Sequence, residues 1–230
     1  IRNPNFPPPF NILRPSHVEF GVRDLAHSRA FYVDCLGYLI TDDDPDAIYL
    51  RAVEERNHHS IVLRKSNDAT IPALGYKLAS EEDLDRAAFW FAHKGYPTSF
   101  PEIAHQGRTL RTCDVHGMPL DFYFRMDQAE CMLRKYAEYK GARIQRIDHL
   151  NCFTPDVQAS YDFYTELGFR LTEYTEPEGP DPKLWAVWMH RKGNVHDIAF
   201  TNGAGPRLHH IGVWTASSLD ILHICDVMAS

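Results

Sequence analysis

No stretch of this 230-residue chain comes near the roughly 20 consecutive apolar residues that a membrane-spanning helix needs. No CxxC pair occurs among its five cysteines, Cys35, Cys113, Cys131, Cys152 and Cys225. Five widely spaced thiols give neither a disulfide framework nor a thiolate zinc site, which points to a reducing, cytoplasmic home. There is no basic run either: 24 Lys and Arg stand against 31 Asp and Glu, a net charge of −7. Nucleic acid or anionic lipid as main partner is therefore excluded for want of clustered cations. The Pro-rich start (Pro4, Pro7, Pro8, Pro9) has no apolar signal-peptide core, and residues 1–13 read as an extended arm. What remains is an ordinary soluble globular composition, 44% apolar and 12% aromatic, long enough for one or two domains with real cores. A small molecule or another protein is the partner it suits.

What the chain does have is an internal repeat. At an offset of 132, Pro15-Ser16-His17-Val18-Glu19-Phe20 lies beside Ile147-Asp148-His149-Leu150-Asn151-Cys152, and Phe31-Tyr32 meets Phe163-Tyr164. Asp24 meets Asp156 and Ser28 meets Ser160 in the same register. Leu36-Gly37 meets Leu167-Gly168 after a one-residue gap, and His59-Ser60 meets His196-Asp197 after an insertion near Pro177-Glu178-Gly179-Pro180. Alternating Val18, Phe20 and Val22 make 15–22 a strand; Asp24 is an N-cap, and Leu25, Tyr32, Cys35 and Leu36 form a helical stripe ended by Gly37. Strands follow near 38–42, 47–53 and 59–65, so the unit is βαβββ.

A fainter copy has a strand at 73–78, a helix opened by Ser80 and Asp83 and running to about Lys94, and strands near 108–113 and 119–125 around Asp114-Val115-His116-Gly117. A fourth begins with Leu208–Val213 and a helix from about Ser217, and its remaining strands would lie past Ser230, so the chain reads as part of a longer protein. The linker 126–146 contains a helix-like Ala129–Tyr139. The fold expected is α+β, paired βαβββ modules in two domains, 14–125 and 147–230, with the fourth module incomplete.

Of the thirteen histidines, His27, His93, His105, His116 and His223 fall in helices or turns, where a solvated imidazole is sufficient. His149 and His210 sit on the first strands of the third and fourth modules. Strand side chains alternate, so His149 shares a face with Asn151, and His210 rather than His209 shares a face with Gly212, opposite Ile211 and Val213. Two neutral imidazoles from symmetry-related strands can meet on one ion, and two histidines with a carboxylate form the facial triad of non-haem Fe(II). Two structural histidines fit the same spacing. His17 holds the matching place in module one but meets Ala73 or Leu74 in module two, so the first half reads as vestigial. His196, beside Asp197 on a late strand, is either a proton carrier near neutral pH or a buried histidine bonded to backbone.

Arg146-Ile147-Asp148-His149, Trp188-Met189-His190-Arg191-Lys192, Val195-His196-Asp197 and Gly205-Pro206-Arg207-Leu208-His209-His210, in this order, resemble the type I extradiol ring-cleaving dioxygenases of the vicinal oxygen chelate superfamily. The likeness covers essentially everything after the arm. It implies His149 and His210 as metal ligands, Asn151 and Trp188 as substrate-binding residues, and His196 as the catalytic acid–base histidine. The third ligand it implies is a glutamate beyond Ser230, of which Asp121 in Pro119-Leu120-Asp121-Phe122 is the pseudo-symmetric relative. It further implies Fe(II), or alternatively Mn(II), binding a catechol and O2, cleavage outside the diol to a hydroxymuconic semialdehyde, and a homotetramer. The substrate expected is 3,4-dihydroxyphenylacetate; catechol or a methylcatechol, or a non-catalytic small-molecule-binding role for the same fold, are the alternatives.

Overall fold

The computed structural model describes residues 6–180 and 182–229; residues 1–5 of the expected arm lie outside the described residues. The first module runs β1 (Ile12–Val22), α1 (Leu25–Arg29), β2 (Leu39–Asp44), β3 (Ala47–Arg51) and β4 (Ile61–Lys65). The second has β5 (Thr70–Leu78), α2 (Glu81–His93), β6 (Thr109–Cys113) and β7 (Pro119–Tyr123). The third has β8 (Arg146–Thr154), α3 (Val157–Glu166), β9 (Arg170–Thr175), β10 (Ala186–His190) and β11 (Ile198–Asn202), and β12 (Arg207–Trp214) with α4 (Ser218–Ala229) opens the fourth. No helix among the described residues is long and apolar enough to cross a membrane.

The caps are local chemistry. Asp24, Ser80 and Asp156 are N-caps in extended conformation, and their side chains accept from the amides of His27, Asp83 and Ala159. Gly37 and Gly168 close the corresponding helices at φ +82° and +84°, a region that other residues enter at a cost. Past Arg29, however, the first helix widens into a π-turn over Ala30–Cys35, with the Leu36 amide reaching back to Phe31 O at 3.0 Å.

The repeat is reproduced bond for bond in the sheets. β1 pairs with β4 in parallel, Val18 opposite Ile61, and β8 pairs with β11 in parallel, Leu150 opposite Ile198. The hairpins β2–β3 and β9–β10 each carry a register shift, skipping Thr41 in one and Thr172 in the other. The third module and β12 form a five-stranded sheet in the order β12-β8-β11-β10-β9.

Two compact units interleave these modules. One takes in the residues up to Ser16, Ala73–Arg125 and His149–Gly212. Its core is aromatic: Phe163 of α3 meets Trp90 and Phe91 of α2 and also Tyr96, at ring-centre distances of 6.0, 6.2 and 5.5 Å. Phe10, wholly buried, plugs the arm against Phe91 and Phe122. The other unit takes in His17–Pro72, Met126–Asp148 and the residues from Val213 on. There the helix expected at Ala129–Tyr139 is absent, and only Tyr136–Glu138 makes a 3₁₀ turn. The amides of Ala129 and Met132 donate instead to Arg56 O and Val53 O at 2.7 and 2.8 Å, and Arg134 adopts φ +71°. Tertiary hydrogen bonds have displaced a modest local propensity.

Candidate functional site

The structure brings His149, His196 and His210 together. The His149 ring centre is 4.1 Å from that of His196 and 5.5 Å from that of His210, the latter pair nearly perpendicular at 82°. His149 comes from the middle of β8, His210 from the adjacent strand β12, and His196 from the loop entering β11. Gly212, two residues beyond His210 and therefore on its face, lies directly against His149: a Cβ there would fall 2.1 Å from the His149 Cε1. His209 packs on Phe153 at 4.6 Å, and its ring centre is 4.8 Å from that of His210, with the two Nδ1 atoms 2.5 Å apart.

Cross-strand register supplies the rest of the surface. Trp188 on β10 is opposite Ala199 on β11, which is opposite Asn151 on β8, so the three form one row on one face. By alternation that is also the face of His149. Two strand spacings put Trp188 and Asn151 about 9–10 Å apart, with the small, buried Ala199 between them. Thr201 Oγ1 donates to Asn151 Oδ1 at 3.3 Å. Cys152, on the opposite face of β8, is buried and its thiol is pushed far above the ordinary range by loss of hydration.

The donor set fits a transition-metal ion. With a metal–imidazole bond of about 2.1 Å each ring centre stands roughly 3.3 Å from the ion, so two ligands at right angles or a little wider have centres about 5 Å apart. The His149–His210 pair is close to that. Partial burial first, and then the His149 and His209 imidazoles beside it, hold the His210 proton affinity below its ordinary value, so a lone pair is available at neutral pH.

The first module preserves part of this arrangement. His17 and His59, the counterparts of His149 and His196, are buried with ring centres 5.2 Å apart, and Tyr49 stands where Trp188 does, 5.4 Å from His59. The carboxylate of Asp121 is taken by Arg111, whose Nε and Nη2 donate to its two oxygens at 2.8 and 2.7 Å. Sequence reasoning gave no sign of the Gly212–His149 contact, of Ala199 between Trp188 and Asn151, or of Tyr49 as a counterpart. A position-by-position reading of the repeat through the insertion could have found only the last.

A fold of paired βαβββ modules is that of the glyoxalase, bleomycin resistance protein and dioxygenase superfamily, whose family model matches residues 146–230. The chain belongs to this superfamily and, within it, to the extradiol ring-cleaving dioxygenases. It is 38% identical to homoprotocatechuate 2,3-dioxygenase from Brevibacterium fuscum, solved as an anaerobic complex with 3,4-dihydroxyphenylacetate; the match covers 98% of this chain and 71% of that one, with a TM-score of 0.91. Metapyrocatechase from Geobacillus stearothermophilus is 25% identical over 240 residues, covering 97% of this chain and 72% of that protein. A manganese-dependent 2,3-dihydroxybiphenyl 1,2-dioxygenase from Geobacillus genomosp. 3 is 25% identical over 232 residues, 94% of this chain and 73% of that protein. Against other solved chains of the Brevibacterium fuscum enzyme the share falls to 63%, so this chain spans about two-thirds of its relatives' length.

Proposed function

We propose that this chain is the larger part of an extradiol dioxygenase that opens the ring of 3,4-dihydroxyphenylacetate with O2 to a hydroxymuconic semialdehyde, as a cytoplasmic homotetramer. The observation that carries the reading is the meeting of His149, His196 and His210 beside the row Trp188–Ala199–Asn151. In this reading 147–230 belongs to the catalytic domain and 14–125 is its non-catalytic counterpart, joined by 126–146.

His149 and His210 would hold the ion, Fe(II) or alternatively Mn(II), with a glutamate from beyond Ser230. When bound, the ion supplies the joint activation of a catechol and O2, which do not react readily by themselves. The remaining work belongs to side chains of this chain. Trp188 offers a flat apolar face to the ring, and Asn151, its Oδ1 held by Thr201, keeps its amide N–H groups for a substrate oxygen. The His196 imidazole takes a proton from a substrate hydroxyl at a ring nitrogen and returns it as the ring opens.

The test is a spectrum of the full-length protein, loaded with Fe(II) or Mn(II), with each catechol under air. A yellow ring-opened product forming fastest from 3,4-dihydroxyphenylacetate is the result expected. Faster turnover of catechol or a methylcatechol would transfer the substrate to the metapyrocatechase class. Tight catechol binding with no yellow product from any of them would refute the enzymatic reading.

A further inference from the structure

We propose that Asp197 is the positioning residue for His196, locking the β10–β11 loop so that the imidazole is held at its distance from His149. The inference rests on the reading of His196 as the proton carrier. Asp197 is fully buried, and both its carboxylate oxygens are engaged by Arg191 and Lys192 at the start of the loop. Oδ2 accepts from the backbone amides of Arg191 and Lys192 at 2.5 and 2.9 Å, and Oδ1 is 2.6 Å from the Lys192 ammonium. Its own amide donates to Met189 O at 2.8 Å and its carbonyl accepts from Leu150 N at 3.0 Å, so the residue after His196 is tied to β10, to β8 and to the far end of the loop at once. Asn194 Nδ2 donates to His196 O at 2.5 Å, a further brace from within the loop.

The repeat contains an independent version of the same device. Ala52 is the counterpart of Arg191, and its amide is also capped by a carboxylate, that of Glu55 at 2.8 Å. Ser60, the counterpart of Asp197, donates its hydroxyl to the same Glu55 oxygen. In both copies the loop that ends in a histidine is closed by a buried carboxylate on the same backbone amide, although the residue supplying it differs. The closure therefore belongs to the placement of that histidine rather than to one local sequence.

Asp197→Asn removes the charge and turns an amide donor toward donors, so the loop must shift. Misplacement of a reacting group by about 1 Å can cost on the order of a hundredfold in rate. In the full-length enzyme the variant is expected to lower kcat for 3,4-dihydroxyphenylacetate ten- to a hundredfold, with KM and metal content within about twofold of wild type. In the zinc-loaded full-length protein it is expected to move the His196 ring signals in NMR, assigned with His196→Asn. Lys192→Met, which leaves both amide bonds in place, is expected to act in the same direction by about threefold. A merely structural carboxylate would lower the melting temperature and leave the kcat-against-KM split and the His196 signals unmoved, and that result in folded Asp197→Asn overturns the proposal. Should Asp197→Asn not fold, unmoved signals and unchanged kcat in Lys192→Met overturn it instead. If wild type cleaves no catechol, it is the reading of the site that fails, and the His196 signals alone then decide the positioning claim.

Discussion

A single methyl group at position 212 should disable the centre while sparing the fold. Gly212 lies on β12 without the left-handed φ that demands glycine, so alanine can adopt its backbone. The obstacle is the His149 ring: the added Cβ would stand 2.1 Å from Cε1 and 2.4 Å from both ring nitrogens, where ordinary contact begins at 3.4 Å. The imidazole must therefore retreat by more than 1 Å, and the 5.5 Å spacing to His210 cannot be kept. Overpacking of this kind costs about 1–3 kcal/mol, and the lower entropy cost of ordering alanine returns about 0.5–1. The net is at most about 2.5 kcal/mol, a shift of no more than several degrees in Tm. Ligand misplacement should weaken metal binding ten- to a hundredfold or more. Titration calorimetry of the full-length protein with Mn(II), beside a thermal melt, separates the two effects. Wild-type affinity in Gly212→Ala would refute the combination of this contact with a ligand role for His149.

His196→Asn in the full-length enzyme should keep metal and catechol binding while slowing product formation by at least tenfold; loss of metal equal to that in His149→Ala would show a structural role instead. Cys152 should resist iodoacetamide in the native protein at pH 8, because burial raises its thiol, while exposed Cys225 is alkylated; equal labelling of both by mass spectrometry would contradict the packing. Phe163→Ala, at the meeting of Trp90, Phe91, Tyr96 and Tyr164, should cost about 3–5 kcal/mol by urea denaturation, and a loss below about 1 would mean the aromatic cluster does not carry the core.

The parts of the fold that were legible are those written in neighbouring residues. Asp24, Ser80 and Asp156 cap through amides three residues on, and Val18, Phe20 and Val22 alternate, so strand, cap and helix could be read within a few positions. The duplication then carried the register from one half to the other, because Val18–Ile61 and Leu150–Ile198 are the same pair in two copies. What could not be read depends on distant backbone. The segment after Ala129 is drawn out of a helix by carbonyls more than 70 residues earlier, and the π-turn after Arg29 has no separate sequence mark. In the site, motif order marked His149, His196 and His210, whereas Gly212 and Asp197 matter through a ring contact and a loop closure that no periodicity encodes.

The skipped residue shared by the two hairpins has an evolutionary corollary. The β2–β3 connection is Pro45 and Asp46, while the β9–β10 connection has grown to residues 176–185. Below that growth, Thr41 and Thr172 still interrupt the pairing at the same rung, so Tyr49 and Trp188 keep the same phase toward their sheets. Length has been added at the tip without rotating anything at the base. A hairpin built this way can be lengthened, shortened or exchanged between relatives, and its tip can diversify while the aromatic side chain at its base stays where it was.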